Sequence, residues 1–232
     1  MFRGDDVALT QVMQRAIGTA RDLGHPRVGS EHLLLALVDP RGPLVDVFST
    51  HGVTEQTVRN IVIAAAPAGA GAAADSEALN PLGISVEGLL DSFGVAVLDR
   101  APVKEPWFPI GARRARKRCA SGVPPIGLDA QAAYEASLRL AIARRERKHQ
   151  PQHLALALVA LDPGVSWMLT GMRTDRGQLL SDLVDAFAPP RSRLAQFGGA
   201  QRRSRDRIVR RYQRTSGRIA VSAGDVLALL GG

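Results

Sequence analysis

From Leu9 to Leu23 the apolar residues Leu9, Val12, Met13, Ala16, Ile17, Ala20 and Leu23 recur at i, i+3, i+4 and i+7. This is the spacing of one face of a helix, and Gly24 closes it. Ser30 is placed to cap a second helix reaching about Val38, with Leu33, Leu34, Leu37 and Val38 on one apolar face. "DPRGP" stops that helix, "LVDVFSTHG" is a short third one ended by Gly52, and Thr54 caps a fourth, "EQTVRNIVIAA". The pattern predicts four helices joined by short turns.

The same order returns further on. "LDAQAAYEASLRLAIARRERKH" reads as a long amphipathic helix and "PQHLALALVAL" as the counterpart of "SEHLLLAL". In that pair Pro151 stands for Ser30, Gln152 for Glu31 and His153 for His32. "GVSWMLTGM" is the short third helix and "DRGQLLSDLVDAF" the fourth. Self-similarity at a fixed step predicts a tandem of two supersecondary units. Between them "AAAPAGAGAAA" reads as a flexible linker, "LNPLGISVEGLLDSF" as one extra helix, and "APVKEPWFPIGARRARKRCASGVPP" as a flexible basic stretch. After the second unit the chain is strongly basic and closes on "IAVSAGDVLALLGG", a short apolar helix.

Composition agrees with a helical core. Of the 232 residues 45% are hydrophobic and only 4% aromatic, so packing rests on Ala, Leu and Val. No apolar run reaches the roughly 18 residues of a membrane span, and the charged N-terminus is unlike a signal peptide; a cytoplasmic protein is expected. The single cysteine, Cys119, excludes an internal disulfide and a Cys-pair zinc site. No His and Glu have metal-ligand spacing, and neither G-x-S-x-G nor H-E-x-x-H occurs. The chain is expected to be non-enzymatic, with no cofactor and no metal. Its formal charge of +8 comes almost wholly from arginine and suits an acidic partner or reflects arginine usage.

The order A-x3-A, "GH", "GSEHLLLAL", a short helix, then "GV" before a capped helix resembles the Clp N-terminal repeat domain. That domain is the substrate- and adaptor-receiving module of ClpC-like unfoldases. The resemblance implies an all-α fold: two tandem four-helix repeats in pseudo-two-fold arrangement, a linker insertion and a basic C-terminal helical extension. The expected divisions are 1–65, 66–125, 126–188 and 189–232. No G-x4-G-K-[ST] is present, so the resemblance is to a stand-alone N-domain without ATPase modules. It implies a protein that binds peptides, adaptors or cyclic peptide antibiotics and modulates or shields a Clp protease.

Relatives of this kind bind arginine-phosphorylated chains through the Glu of the "EH" motif and a Thr at the start of the first helix. By resemblance, Glu31 keeps the carboxylate, while Asp6 stands at the Thr position of the first unit. In the second unit Gln152 and Gly127 replace both. Glu31 also has a plain reading, a carboxylate in the first helical turn favoured by the helix dipole. His32 and His153 sit beside Leu runs as structural histidines. The resemblance further implies an apolar groove at Phe2 and Ile126, with Arg3 and Gln131 beside them; alternatively Phe2 packs on the first helix. In the tail, Ile208, Val209 and Tyr212 can share a helix face while Arg202, Arg203, Arg207, Arg210, Arg211 and Arg214 cover the rest. This segment either contacts nucleic acid or another acidic partner, or is a solvated basic helix docked through its apolar stripe.

Overall fold

The structure, a computed structural model, describes residues 3–94 and 121–187. Among these residues there are ten α-helices and no strand beyond two isolated bridges. The first set is α1 (Val7–Asp22), α2 (Ser30–Leu37), α3 (Val45–Thr50) and α4 (Glu55–Ala64). Then come α5 (Ala70–Leu79), a 3₁₀ turn at Asn80–Leu82 and α6 (Val86–Phe93). The second set is α7 (Leu128–Ala143), α8 (Pro151–Leu161), α9 (Pro163–Gly171) and α10 (Arg176–Ala186).

A constant step of 121 residues relates Val7 to Leu128, Ser30 to Pro151 and Glu55 to Arg176. The turns keep the same step. Gly24 and Gly52 adopt positive φ, and so do Arg145 and Arg173, which stand at the equivalent places. The fourth helices are capped alike, by Thr54 accepting from the Thr57 amide and Asp175 from the Gln178 amide. The second helix runs longer in the second set, and the third helix differs at its start. It starts earlier in the second set because Asp162, accepting from the Val165 amide, caps it directly.

The two signature helices are the centre of the molecule. Every residue of α2 is buried, and so is every residue of α8 except Gln152. Leu33, Leu34, Leu37 and Val38 were expected on one face; a helix apolar nearly all round is instead enclosed on all sides. α2 packs on α1, α4, α7 and α8, and one continuous core runs through both sets. The face expected on α1 is seen: Leu9, Val12, Ala16 and Ala20 are buried, with Met13, Ile17 and Leu23 packed against them.

The Ala/Gly stretch after α4 departs from expectation. It is not a free linker but helix α5, since alanine has the highest helix propensity and the small residues let the backbones approach. A Cβ on Gly164 of α9 would lie 2.8 Å from the Gly71 amide nitrogen. The insertion therefore holds two helices among the described residues, where one was expected. No single described helix is long and apolar enough to cross a membrane; α8 and α9 together pass on composition but are bent by 79° and form the core.

Candidate binding site at two crossed helix starts

The chain entering each first helix lies beside the chain entering the other set's second helix. Asp5 bridges His149 and Ile126 bridges Val28, both in parallel. The hydrogen bonds repeat: the His149 amide donates to the Gly4 carbonyl at 2.9 Å and the Val28 amide to the Pro125 carbonyl at 2.8 Å. The Asp6 amide donates to His149 at 2.7 Å and the Gly127 amide to Val28 at 2.9 Å. A third bond, from the Arg3 amide to Arg147, has no counterpart because Pro124 lacks an N–H. Two ends result, one at the starts of α2 and α7 and one at the starts of α1 and α8.

The α2/α7 end is closed. Glu31, in the first turn of α2, is 2% exposed. Its carboxylate folds over Gly29, where a Cβ would meet the oxygens at 2.3 Å, and Gly69 covers it from the other side, a Cβ there meeting Oε1 at 2.9 Å. Gly69 has φ +89°, open to glycine without strain. Oε2 of Glu31 is buried without a hydrogen-bond partner, a state that costs about 1–3 kcal/mol and that the positive end of α2 partly offsets. The buried Asp129 of α7 supplies a second carboxylate. It accepts from the Ser30 amide at 3.1 Å and faces the buried Arg27 at 3.9 Å. The Ser30 hydroxyl donates to a third, Asp162, at 2.8 Å. Arg27 also donates to the Ala68 carbonyl, tying down the chain that covers Glu31.

The α1/α8 end is open. Asp6 caps α1 through the Ala8 amide at 3.0 Å and receives Lys148 at 2.8 Å. The Lys148 ammonium and the helix-start amide hold the Asp6 carboxyl below its usual value. Arg3, Arg145, Arg147 and Lys148 are exposed around it, and Gln152 is half-buried and bonded to Gln150. Beneath them lies an Asp5–His149–Ser137 chain: His149 Nδ1 is 3.0 Å from Asp5 and Nε2 is 2.8 Å from the Ser137 hydroxyl. Tyr134 donates to the other Asp5 oxygen at 2.5 Å. The order is that of a nucleophilic triad. Ser137 and His149 are both 0% exposed, so no substrate carbonyl can reach the hydroxyl, and the chain acts as a tie between α7 and the N-terminal segment.

The two signature histidines share one geometry. The Gly29 amide donates to His32 Nδ1, and the Gln150 amide to His153 Nδ1, both at 3.0 Å. Each Nε2 therefore carries the proton; that of His32 faces His25 Nδ1 at 2.9 Å, while that of His153 lies 3.0 Å from Glu146 without hydrogen-bond geometry. Burial pushes His149, His153 and His25 below the ordinary imidazole value; the carboxylates beside His149 and His153 oppose this without cancelling it.

Sequence reasoning paired Glu31 with Asp6 in one unit and Gln152 with Gly127 in the other. The structure crosses them, bringing Glu31, Ile126, Gly127 and Gln131 to one end and Arg3, Asp6 and Gln152 to the other, because the bridges join opposite units. Ile126 is half-buried on the core, and its carbonyl accepts from the Gln131 side chain at 2.7 Å. Asp129 and Asp162 were missed; an acid two residues into a predicted helix reads as a dipole partner of its own helix, and only the crossing sends it to another. Phe2, Cys119 and the arginines Arg202, Arg203, Arg207, Arg210, Arg211 and Arg214 lie outside the described residues.

Residues 6–91, from the cap of α1 into α6, match the family model of the Clp repeat (R) N-terminal domain. That stretch is similar to a Clp N-terminal domain. The match to this Clp domain ends in α6, ahead of the second helix set. No curated protein matches the chain. Among solved structures it is similar to the N-terminal domain of the caseinolytic protease associated chaperone ClpD from Arabidopsis thaliana, with TM-score 0.44 and 16% identity, over 78% of this chain and 93% of that one.

Proposed function

We propose that this chain is a non-catalytic receiving module of a Clp system, taking up peptide or adaptor segments at the α1/α8 end. The observation that carries the reading is the Clp domain over residues 6–91 joined to a pair of helix starts of which only one is accessible. At the open end Arg3, Arg147 and Lys148 offer charge, and the half-buried Gln152 offers amide hydrogen bonds. The closed end has no room for a guanidinium at Glu31.

Phosphoarginine selectivity is not part of the reading. A phosphoryl group would need helix-start amides, yet Asp6 occupies the start of α1 and Asp129 the start of α2. The test is calorimetric titration of the full chain with an arginine-phosphorylated peptide and its unmodified twin. Both should bind with affinities equal within about threefold, roughly 0.7 kcal/mol, and both should be lost in the Arg3→Glu, Gln152→Glu double variant. Absence of binding, or binding unchanged in that variant, overturns the site. A large preference for the phosphorylated peptide overturns the argument from the two aspartates. A Clp-directed cyclic peptide, titrated against wild type and Phe2→Ala, tests the antibiotic-shielding form of the proposal.

A further inference from the structure

Charge is segregated along this chain. Residues 60–94 contain no Lys or Arg and four acids, Asp75, Glu77, Glu87 and Asp91, all exposed. Among the described residues Glu77, Glu87 and Asp91 make no ion pair. The same stretch carries three of the six exposed large hydrophobic residues described: Ile63, Leu82 at 71% and Ile84 at 44%. Helix α6 is eight residues long and packs on α5, with Val86 its one side chain described as buried. So short a helix has little stability of its own. Glu87 and Asp91, one turn apart on this helix, and Leu82 and Ile84 just before it are left in water.

The chain also contains a segment of matching chemistry. Residues 201–218 hold eight arginines and one acid, with Ile208, Val209 and Tyr212 at helical spacing among them. We propose that the segment 202–214 of the same chain docks on the acidic and apolar face of α5, the 3₁₀ turn and α6. Its guanidinium groups meet Glu77, Glu87 and Asp91, for which arginine forks are suited, and Ile208, Val209 and Tyr212 cover Leu82 and Ile84. The reach is sufficient: the 15 residues from Phe187 to Arg202 span up to about 50 Å when extended, beyond the roughly 30–40 Å breadth of a domain of this size. Docking within one chain is favoured by the millimolar effective concentration that a short tether supplies. The basic segment and the face that most needs cover thus satisfy each other, and this inference stands apart from the peptide site at the α1/α8 end.

The experiment uses the full chain with Cys119→Ser, carrying Leu82→Cys and Tyr212→Cys, oxidised at low protein concentration. A second chain pairs Tyr212→Cys with Ser49→Cys, an exposed residue of α3, as the reference. The proposal expects an intrachain disulfide between 82 and 212 to form at least about tenfold faster than between 49 and 212. Raising salt to molar levels, where the Debye length shrinks to about 3 Å, should slow it, and so should the triple variant Glu77→Lys, Glu87→Lys, Asp91→Lys. Equal rates in the two pairs overturn the proposal, as does indifference to the triple variant. Disulfide-linked dimers in place of the intrachain product overturn it in favour of a second copy's tail.

Discussion

The α2/α7 and α1/α8 ends are one arrangement made twice, and they have diverged in opposite directions. Each joins the start of a first helix to the start of the other unit's second helix by a single parallel bridge. At the α2/α7 end the carboxylates of Glu31, Asp129 and Asp162 are buried and the chain around Gly69 closes over Glu31. At the α1/α8 end the position equivalent to Asp129 is Ala8 and that equivalent to Glu31 is Gln152. The acids there, Asp5 and Asp6, stay near the surface and pair with His149, Tyr134 and Lys148. The two ends keep the same backbone bonds, while their polar side chains make a structural knot at one end and an accessible surface at the other.

The largest effect expected from breaking this comparison is at Asp129. Asp129→Ala removes a buried carboxylate facing the buried Arg27 and the Ser30 amide, and should lower unfolding free energy by about 3–5 kcal/mol, read from the denaturant midpoint. A loss below about 1 kcal/mol would mean that this end is solvated. Gly69→Val comes next. A β-branched residue at φ +89° carries about 1–3 kcal/mol of backbone strain and presses a Cβ on Glu31, so the strap should loosen and amide exchange rise first at α5.

The third comparison is in pH. Because folding leaves His149, His153 and His25 neutral below their ordinary value near 6.5, the unfolded chain binds more protons just under that pH. Stability is therefore complete above about pH 6.5 and is lost as pH falls toward the lowered folded values, by up to about 1.4 kcal/mol per pH unit for each fully neutral group. His149→Gln should flatten this slope more than His25→Gln, since His149 is enclosed and His25 is half-exposed. Equal slopes would contradict the burial argument. Asp6→Ala should be the mildest change, a loss of one helix cap at the surface, with a midpoint shift well below that of Asp129→Ala.

Most of the helix order was legible in the sequence because each start carried local chemistry: Thr54 as a cap, "DPRGP" as a stop, glycines at the turns. The duplication was legible too, since α1 to α4 and α7 to α10 keep one register. What could not be read was anything set by the crossing. Glu31 was expected to share an end with Asp6, and its true neighbours, Asp129 and Gly69, lie 98 and 38 residues away in the chain. The Asp5–His149–Ser137 tie was equally hidden, since its members belong to different units. The Ala/Gly stretch misled because composition alone does not tell a linker from a helix seated on a backbone neighbour such as Gly164.

Carboxyl labelling of the full chain with a water-soluble carbodiimide at neutral pH, followed by peptide mapping, tests the contrast between the two ends most directly. The account predicts that Asp5 and Asp6 are modified, together with exposed acids such as Glu87, while Glu31 and Asp129 stay protected until the chain unfolds. Labelling of Glu31 at the rate of Glu87 in the folded protein would contradict it, placing an open carboxylate site at the α2/α7 end as well.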